Sequence, residues 1–135
     1  MQGIYTTIIS TFIIKNNCVE ITINEDASFD LLSVKKHFEE VYQVIKTPSS
    51  KSIIDFSKIS FINIPKESME YMANNEYTNN STLLAIIING LPQKLIGNFY
   101  LNVMKPKRKT KIFTSKEEAS TWLNTINENT TAQAL

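Results

Sequence analysis

Two short apolar runs, Ile53-Ile54-Asp55-Phe56 and Leu83-Leu84-Ala85-Ile86-Ile87-Ile88, leave few architectures open to this chain. Each is bounded by turn chemistry and is apolar on consecutive positions, as strands buried on both faces are. Strands of that kind lie inside a sheet with helices packed on it. Between the two runs, Pro65 is placed as a first-turn proline, and Met69, Met72 and Ala73 share one stripe at helical spacing. Strand, helix and strand in succession predict a parallel crossover.

The flanks repeat the alternation. Ile4 to Ile14 is rich in isoleucine, threonine and aromatics and predicts one strand over 4–14; Lys15-Asn16-Asn17 reads as a turn, and the alternating run Cys18 to Ile23 closes a hairpin. Leu31, Val34, Phe38, Val41, Tyr42 and Ile45 recur at helical spacing opposite Lys35, Lys36, Glu39, Glu40 and Gln43, with Asp30 as cap. Thr47-Pro48-Ser49-Ser50 breaks that helix. Leu91-Pro92 opens a third, expected to face Leu95, Ile96, Phe99 and Val103 inward and to stop near Met104 before Pro106. Lys111-Ile112-Phe113 is a short strand, and the capping box from Ser115 to Glu118 starts a last helix with Ala119, Trp122, Leu123 and Ile126 on its buried side.

The expected fold class is therefore α/β: a mostly parallel sheet with an N-terminal antiparallel hairpin and four helices. Expected strands are 4–14, 18–23, 52–56, 83–88 and 111–113, in a single domain over 1–127 with a flexible tail over 128–135. With 135 residues, 42% hydrophobic, the chain suffices for one core.

A net charge of +1 carries no strong instruction toward nucleic acid or membrane, but the charges are uneven. Lys105, Lys107, Arg108, Lys109 and Lys111 are five of the 14 basic residues and follow a helix bearing Phe99, Tyr100 and Met104. A basic loop of this kind is suited to anionic lipid headgroups, with apolar side chains inserting beside it. RNA would require a platform of exposed aromatics, whereas the aromatics here fall on expected core faces, so nucleic acid is the least expected partner. No apolar run approaches the roughly 20 residues that span a bilayer, and the first residues lack a positive leader. A cytoplasmic protein is expected, peripheral to the inner face of the membrane if the basic loop is used.

Catalytic chemistry finds little purchase. His37 is the only histidine and sits in an amphipathic helix without a nucleophile partner; Cys18, the only cysteine, lies in a strand without an activating base. Both read as structural. One histidine and one cysteine do not make a zinc site, and Gly90 and Gly97 stand alone, without a phosphate cradle. Neither enzyme activity, a metal nor a cofactor is expected. Asp55 ends an apolar strand, where open α/β sheets bind ligands, and its bland role is to accept amides of the next loop.

The order of elements, together with Asp55-Phe56-Ser57-Lys58-Ile59-Ser60-Phe61-Ile62-Asn63, resembles the STAS domain of anti-sigma factor antagonists, the SpoIIAA-like fold. Asn98-Phe99-Tyr100, Lys105-Pro106, Lys111 to Thr114 and Ala119 to Leu123 are similar to STAS/SEC14-type bacterial relatives. In the STAS family the loop carries a buried aromatic into Asp-Ser-Ser-Gly, which here falls on Asn63-Ile64-Pro65-Lys66. The phosphorylatable serine has no counterpart, and Ser68 reads as a polar surface residue. The resemblance implies a non-catalytic binding or regulatory module acting through an unidentified protein partner, a homodimer contact or a small apolar ligand. Its expected surface is the carboxyl end of the sheet, with Asp55, Phe61, Asn63, Pro65, Lys66, Asn89 and Gly90. The alternative is a peripheral membrane or lipid-binding protein using residues 105–111.

Overall fold

The structure is a computed structural model that describes residues 3–45, 51–59, 63–75, 77 and 83–134, the side chains of 126–134 excepted. In chain order they form β1 (Tyr5–Thr6), β2 (Ser10–Lys15), β3 (Cys18–Ile23), α1 (Leu31–Ile45), β4 (Lys51–Asp55), α2 (Lys66–Ala73), β5 (Leu83–Ile87), α3 (Leu91–Phe99), a π-helical turn (Tyr100–Met104), β6 (Lys109–Phe113) and α4 (Lys116–Ala134). The strands lie in one sheet in the order β1-β2-β3-β4-β5-β6, the first two pairings antiparallel and the rest parallel. It is the mixed α/β architecture that the alternation predicts, and it is consistent with a STAS-like fold.

Sequential strand order decides the layering. Crossovers that all step the same way, each right-handed, land on one face of the sheet. Accordingly Val34 and Val41 of α1, Met69 and Ala73 of α2 and Tyr100 after α3 join Val19, Ile21, Ile54, Leu84 and Ile86 in the larger core. On the opposite face α4 packs over β4, β5 and β6, where Ala119 and Leu123 meet Cys18, Ile53, Leu83, Ala85 and Ile87. Strand alternation sorts the residues between the two cores, so β4 and β5 are apolar on both faces.

The local signals act where they are placed. Asn16 and Asn17 both take positive φ, 52° and 61°, as a two-residue hairpin turn requires. Asp30 Oδ1 accepts the Ser33 N–H at 2.8 Å and caps α1. Ser115 Oγ accepts the Glu118 N–H at 3.2 Å, and the Glu118 carboxylate takes the Ser115 hydroxyl at 3.1 Å.

Four expectations are corrected. The strand expected over 4–14 is two strands, because Thr7 Oγ1 accepts the N–H groups of Ile9 (3.2 Å) and Ser10 (3.0 Å) and the Thr7 N–H donates to Ser10 O (2.8 Å). A threonine hydroxyl thus competes with the ladder and folds Tyr5 back onto Phe12, their rings stacked at 5.1 Å. The inward face of α3 is also different: Gln93, Gly97 and Tyr100 are buried, while Leu95 and Phe99 on the helix and Val103 beyond it are exposed. The smallest side chain sets that choice, since a Cβ at Gly97 would meet Ile112 Cδ1 of β6 at 2.6 Å, and only a glycine face comes so near the sheet. The last strand starts two residues earlier than expected, at Lys109, which sends Lys109, Lys111 and Phe113 toward the α4 side and Thr110 and Ile112 toward the other. Ser68 is fully buried, its hydroxyl donating to Phe29 O at 2.6 Å, and is no surface residue.

The backbone of α4 stays helical to Ala134, through positions expected as a tail. The expected break at 47–50, Phe61 and the side chain of Ile126 lie outside the described residues.

Candidate ligand-binding site

Between the sheet and the helices α2 and α3 the larger core leaves a cavity of about 40 Å³. Strand parity supplies its floor, with Ile54 from β4, Phe56 just beyond it, Leu84 and Ile86 from β5 and Ile88 next in chain. Ile64, Met69 and Met72 form one wall, Ile96, Gly97 and Tyr100 another, and Phe38 of α1 closes a side. The remaining lining residues, Gln93 and Arg108, are polar.

Gln93 is satisfied. Its Oε1 accepts the Asn89 N–H at 2.8 Å, and its Nε2 donates to Phe56 O at 3.1 Å and to Ile59 O. One buried amide therefore ties the start of α3 to the loop that leaves β4. Arg108 differs. It precedes β6 with the parity of Thr110 and Ile112, so its side chain turns into the pocket, and Nε is buried without a hydrogen-bond partner. The residue as a whole keeps some exposure, yet burial at the guanidinium is deep enough to pull its pKa down to about 10. It remains charged at neutral pH. Burial pushes the Tyr100 phenol up to about 12, the Arg108 charge acting the other way.

Of the residues expected at the carboxyl end of the sheet, the described ones are not among those lining this pocket. Asp55 Oδ1 accepts the Ser57 N–H at 2.8 Å, serving the following loop. Asn63, Lys66, Asn89 and Gly90 are exposed, Pro65 is half-buried ahead of α2, and Gly90 takes a φ of 87° that glycine tolerates. Their chain neighbours Ile54, Phe56, Ile64 and Ile88 are the lining residues, one position away and on the other side of the backbone. Of the five basic residues at 105–111, Lys105, Lys107, Lys109 and Lys111 are exposed, while Arg108 is half-buried with its Nε turned inward. The missed signal is parity: counting back in twos from Ile112 reaches Arg108.

His37 and Cys18 are enclosed away from this pocket. His37 is buried, its Nδ1 within 3.0 Å of Thr7 Oγ1 and 3.3 Å of Ser10 Oγ, and desolvation lowers its pKa to about 4. Burial, then the charge of Glu20, raises the Cys18 thiol to about 11. Glu20 itself pairs with Lys116 at 2.6 Å. Among the described residues no three His, Cys, Asp or Glu side chains gather as metal ligands, and no helix is long and apolar enough to cross a membrane.

The model of one family, described as a domain of unknown function (DUF7793), matches residues 12–127. No curated protein and no solved structure matches the chain.

Proposed function

The chain belongs to the DUF7793 family, and from that premise we propose that it is a non-catalytic, STAS-like binding module of the cytoplasm whose ligand occupies the pocket between the sheet and helices α2 and α3. The observation that carries the reading is the pocket's make-up, an almost wholly apolar lining interrupted by Gln93 and Arg108. A non-catalytic role is supported by the reactive side chains elsewhere: the thiol stays protonated, and His37 stays neutral among hydroxyls, with Ser10 fully buried. Phosphate switching in the STAS manner gains no support, since Asn63-Ile64-Pro65-Lys66 carries no hydroxyl and the Ser68 hydroxyl is sealed against Phe29.

Titration with 1-octanol, followed by methyl NMR, tests the reading. Shifts concentrated at Met69, Met72 and Ile96, and suppressed by Met72→Trp, are expected. Shifts spread over the surface, or none at millimolar octanol, would remove the pocket as a binding site.

A second reading, peripheral attachment to an anionic membrane, is favoured by the outer face of α3. Leu91, Leu95, Phe99 and Val103 follow one another at four-residue steps and are 65%, 61%, 42% and 56% exposed. No carboxylate occurs between Asn89 and Lys116, and Lys94, Lys105 and Lys107 are exposed along or just after the helix. An apolar stripe with only cations beside it complements an anionic bilayer, whereas apposing two copies of this face would bring like charges together. Flotation with phosphatidylglycerol vesicles should weaken about 30-fold when Lys105 and Lys107 become glutamine, at about 1 kcal/mol per charge, and should be lost in Leu95→Asp/Phe99→Asp. Binding to neutral and anionic vesicles alike, unchanged by these substitutions, would reject the second reading.

A further inference from the structure

We infer that the pocket ligand is an anionic amphiphile, an oxyanion head on a short apolar tail, and that Arg108 is the receptor of its head; the inference rests on the pocket reading above. Proteins rarely leave a charged group buried without a counter-charge, because desolvation is offset only when a partner completes its hydrogen bonds. Here Nε has no hydrogen-bond partner, and among the described residues no carboxylate forms an ion pair with Arg108. The alternation that turns Lys109 and Lys111 outward turns this guanidinium in, toward a wall that is almost wholly apolar. A planar fork of donors matches a carboxylate or a phosphate monoester through paired hydrogen bonds. Tyr100, which lines the same cavity and feels the Arg108 charge, brings a hydroxyl as a further donor.

The present cavity, about 40 Å³, is well below the roughly 150 Å³ of a core cavity that admits a molecule such as benzene. A tail must therefore displace part of the wall. Met69 and Met72 are suited to this, being unbranched and rotatable about three side-chain bonds. Head recognition is rigid and tail recognition adaptable, so selectivity rests on the charge.

Calorimetric titration of the full chain with octanoate, octyl phosphate and 1-octanol separates head from tail. In the wild type at least one of the two anions is expected to bind at least about 30-fold more tightly than octanol, as a charge-assisted bidentate contact would give. The favoured anion distinguishes a carboxylate ligand from a phosphate monoester. In Arg108→Met that preference should disappear while octanol binding persists. Arg108→Lys keeps the charge without the fork and should retain a reduced preference, which also covers the case of a poorly folded methionine variant. Ligand-free Arg108→Met is expected to melt higher by about 5 °C, because an uncompensated buried charge has been removed; a merely structural arginine would give a lower melting temperature. If octanol matches the anions in the wild type, the pocket stands and the oxyanion head is wrong. If none of the three binds, both the head and the pocket reading fall.

Discussion

Gln93→Leu is expected to lower stability by about 3 kcal/mol, because the loss of one amide leaves a buried carbonyl and a part-buried N–H short of partners. The side chain is 2% exposed and serves three partners: the Asn89 N–H, Phe56 O and Ile59 O. Phe56 O keeps a second donor, the Ile59 N–H at 3.1 Å, so the penalty concentrates on Ile59 O and the Asn89 N–H. Leucine fills similar volume, and for that reason the loss reports the hydrogen bonds rather than a cavity. Urea unfolding should show a lower midpoint at an unchanged slope, and the melting temperature should fall by about 10 °C. A midpoint within error of the wild type would mean that the amide does not clamp the loop. The consequence reaches the pocket, since Gln93 lines it while holding the loop that leaves β4 against α3.

Acid should destabilise the protein through His37. Its folded pKa is near 4, depressed by burial, against about 6.5 for an unfolded histidine. Between those values the unfolded chain binds the proton and the folded protein refuses it, so the unfolded state gains. The histidine's contribution is complete above pH 6.5 and is withdrawn as pH falls to about 4, amounting to about 3 kcal/mol over that window. His37→Gln retains hydrogen-bonding capacity toward Thr7 and Ser10 without the titration. Urea midpoints measured from pH 7 to pH 4 should therefore fall more steeply in the wild type than in the variant. Asp30, whose carboxyl is held low first by the Ser33 amide and then by serine hydroxyls, loses its own contribution at lower pH in both proteins and cancels in the comparison. Parallel curves would show that His37 is not the group that senses acid.

The α/β alternation was legible in the chain because each element carries its own period and its own stop. The paired asparagines of the first hairpin, Asp30 and Ser115 act within a few residues of themselves, and their geometry is found where the residues stand. Short-range competition was harder to read. Thr7 breaks a segment of high strand propensity only because its hydroxyl finds two amides at once. The pocket was not legible as a site, since Ile54, Phe56, Leu84 and Ile86 read as ordinary core and nothing local tells a filled core from one with a gap.

Helix α3 and the basic run show where sequence stops. Two faces of the α3 segment satisfy a helical period, one through Leu91, Leu95, Phe99 and Val103, the other through Gln93, Ile96, Gly97 and Tyr100. Hydropathy favours the first. The fold buries the second, because close approach to Ile112 admits glycine and because Gln93 answers backbone groups that a leucine would leave unpaired. Likewise, five basic residues look alike as a run, and only their register in a strand turns Arg108 inward while Lys109 and Lys111 face solvent. The sequence by itself determined the kinds of elements, their order and hence a layered α/β sheet, since period, caps and turn residues act locally. Tertiary structure alone decided which helix face is buried and which cation is enclosed, since both depend on the surface that each element meets across the core.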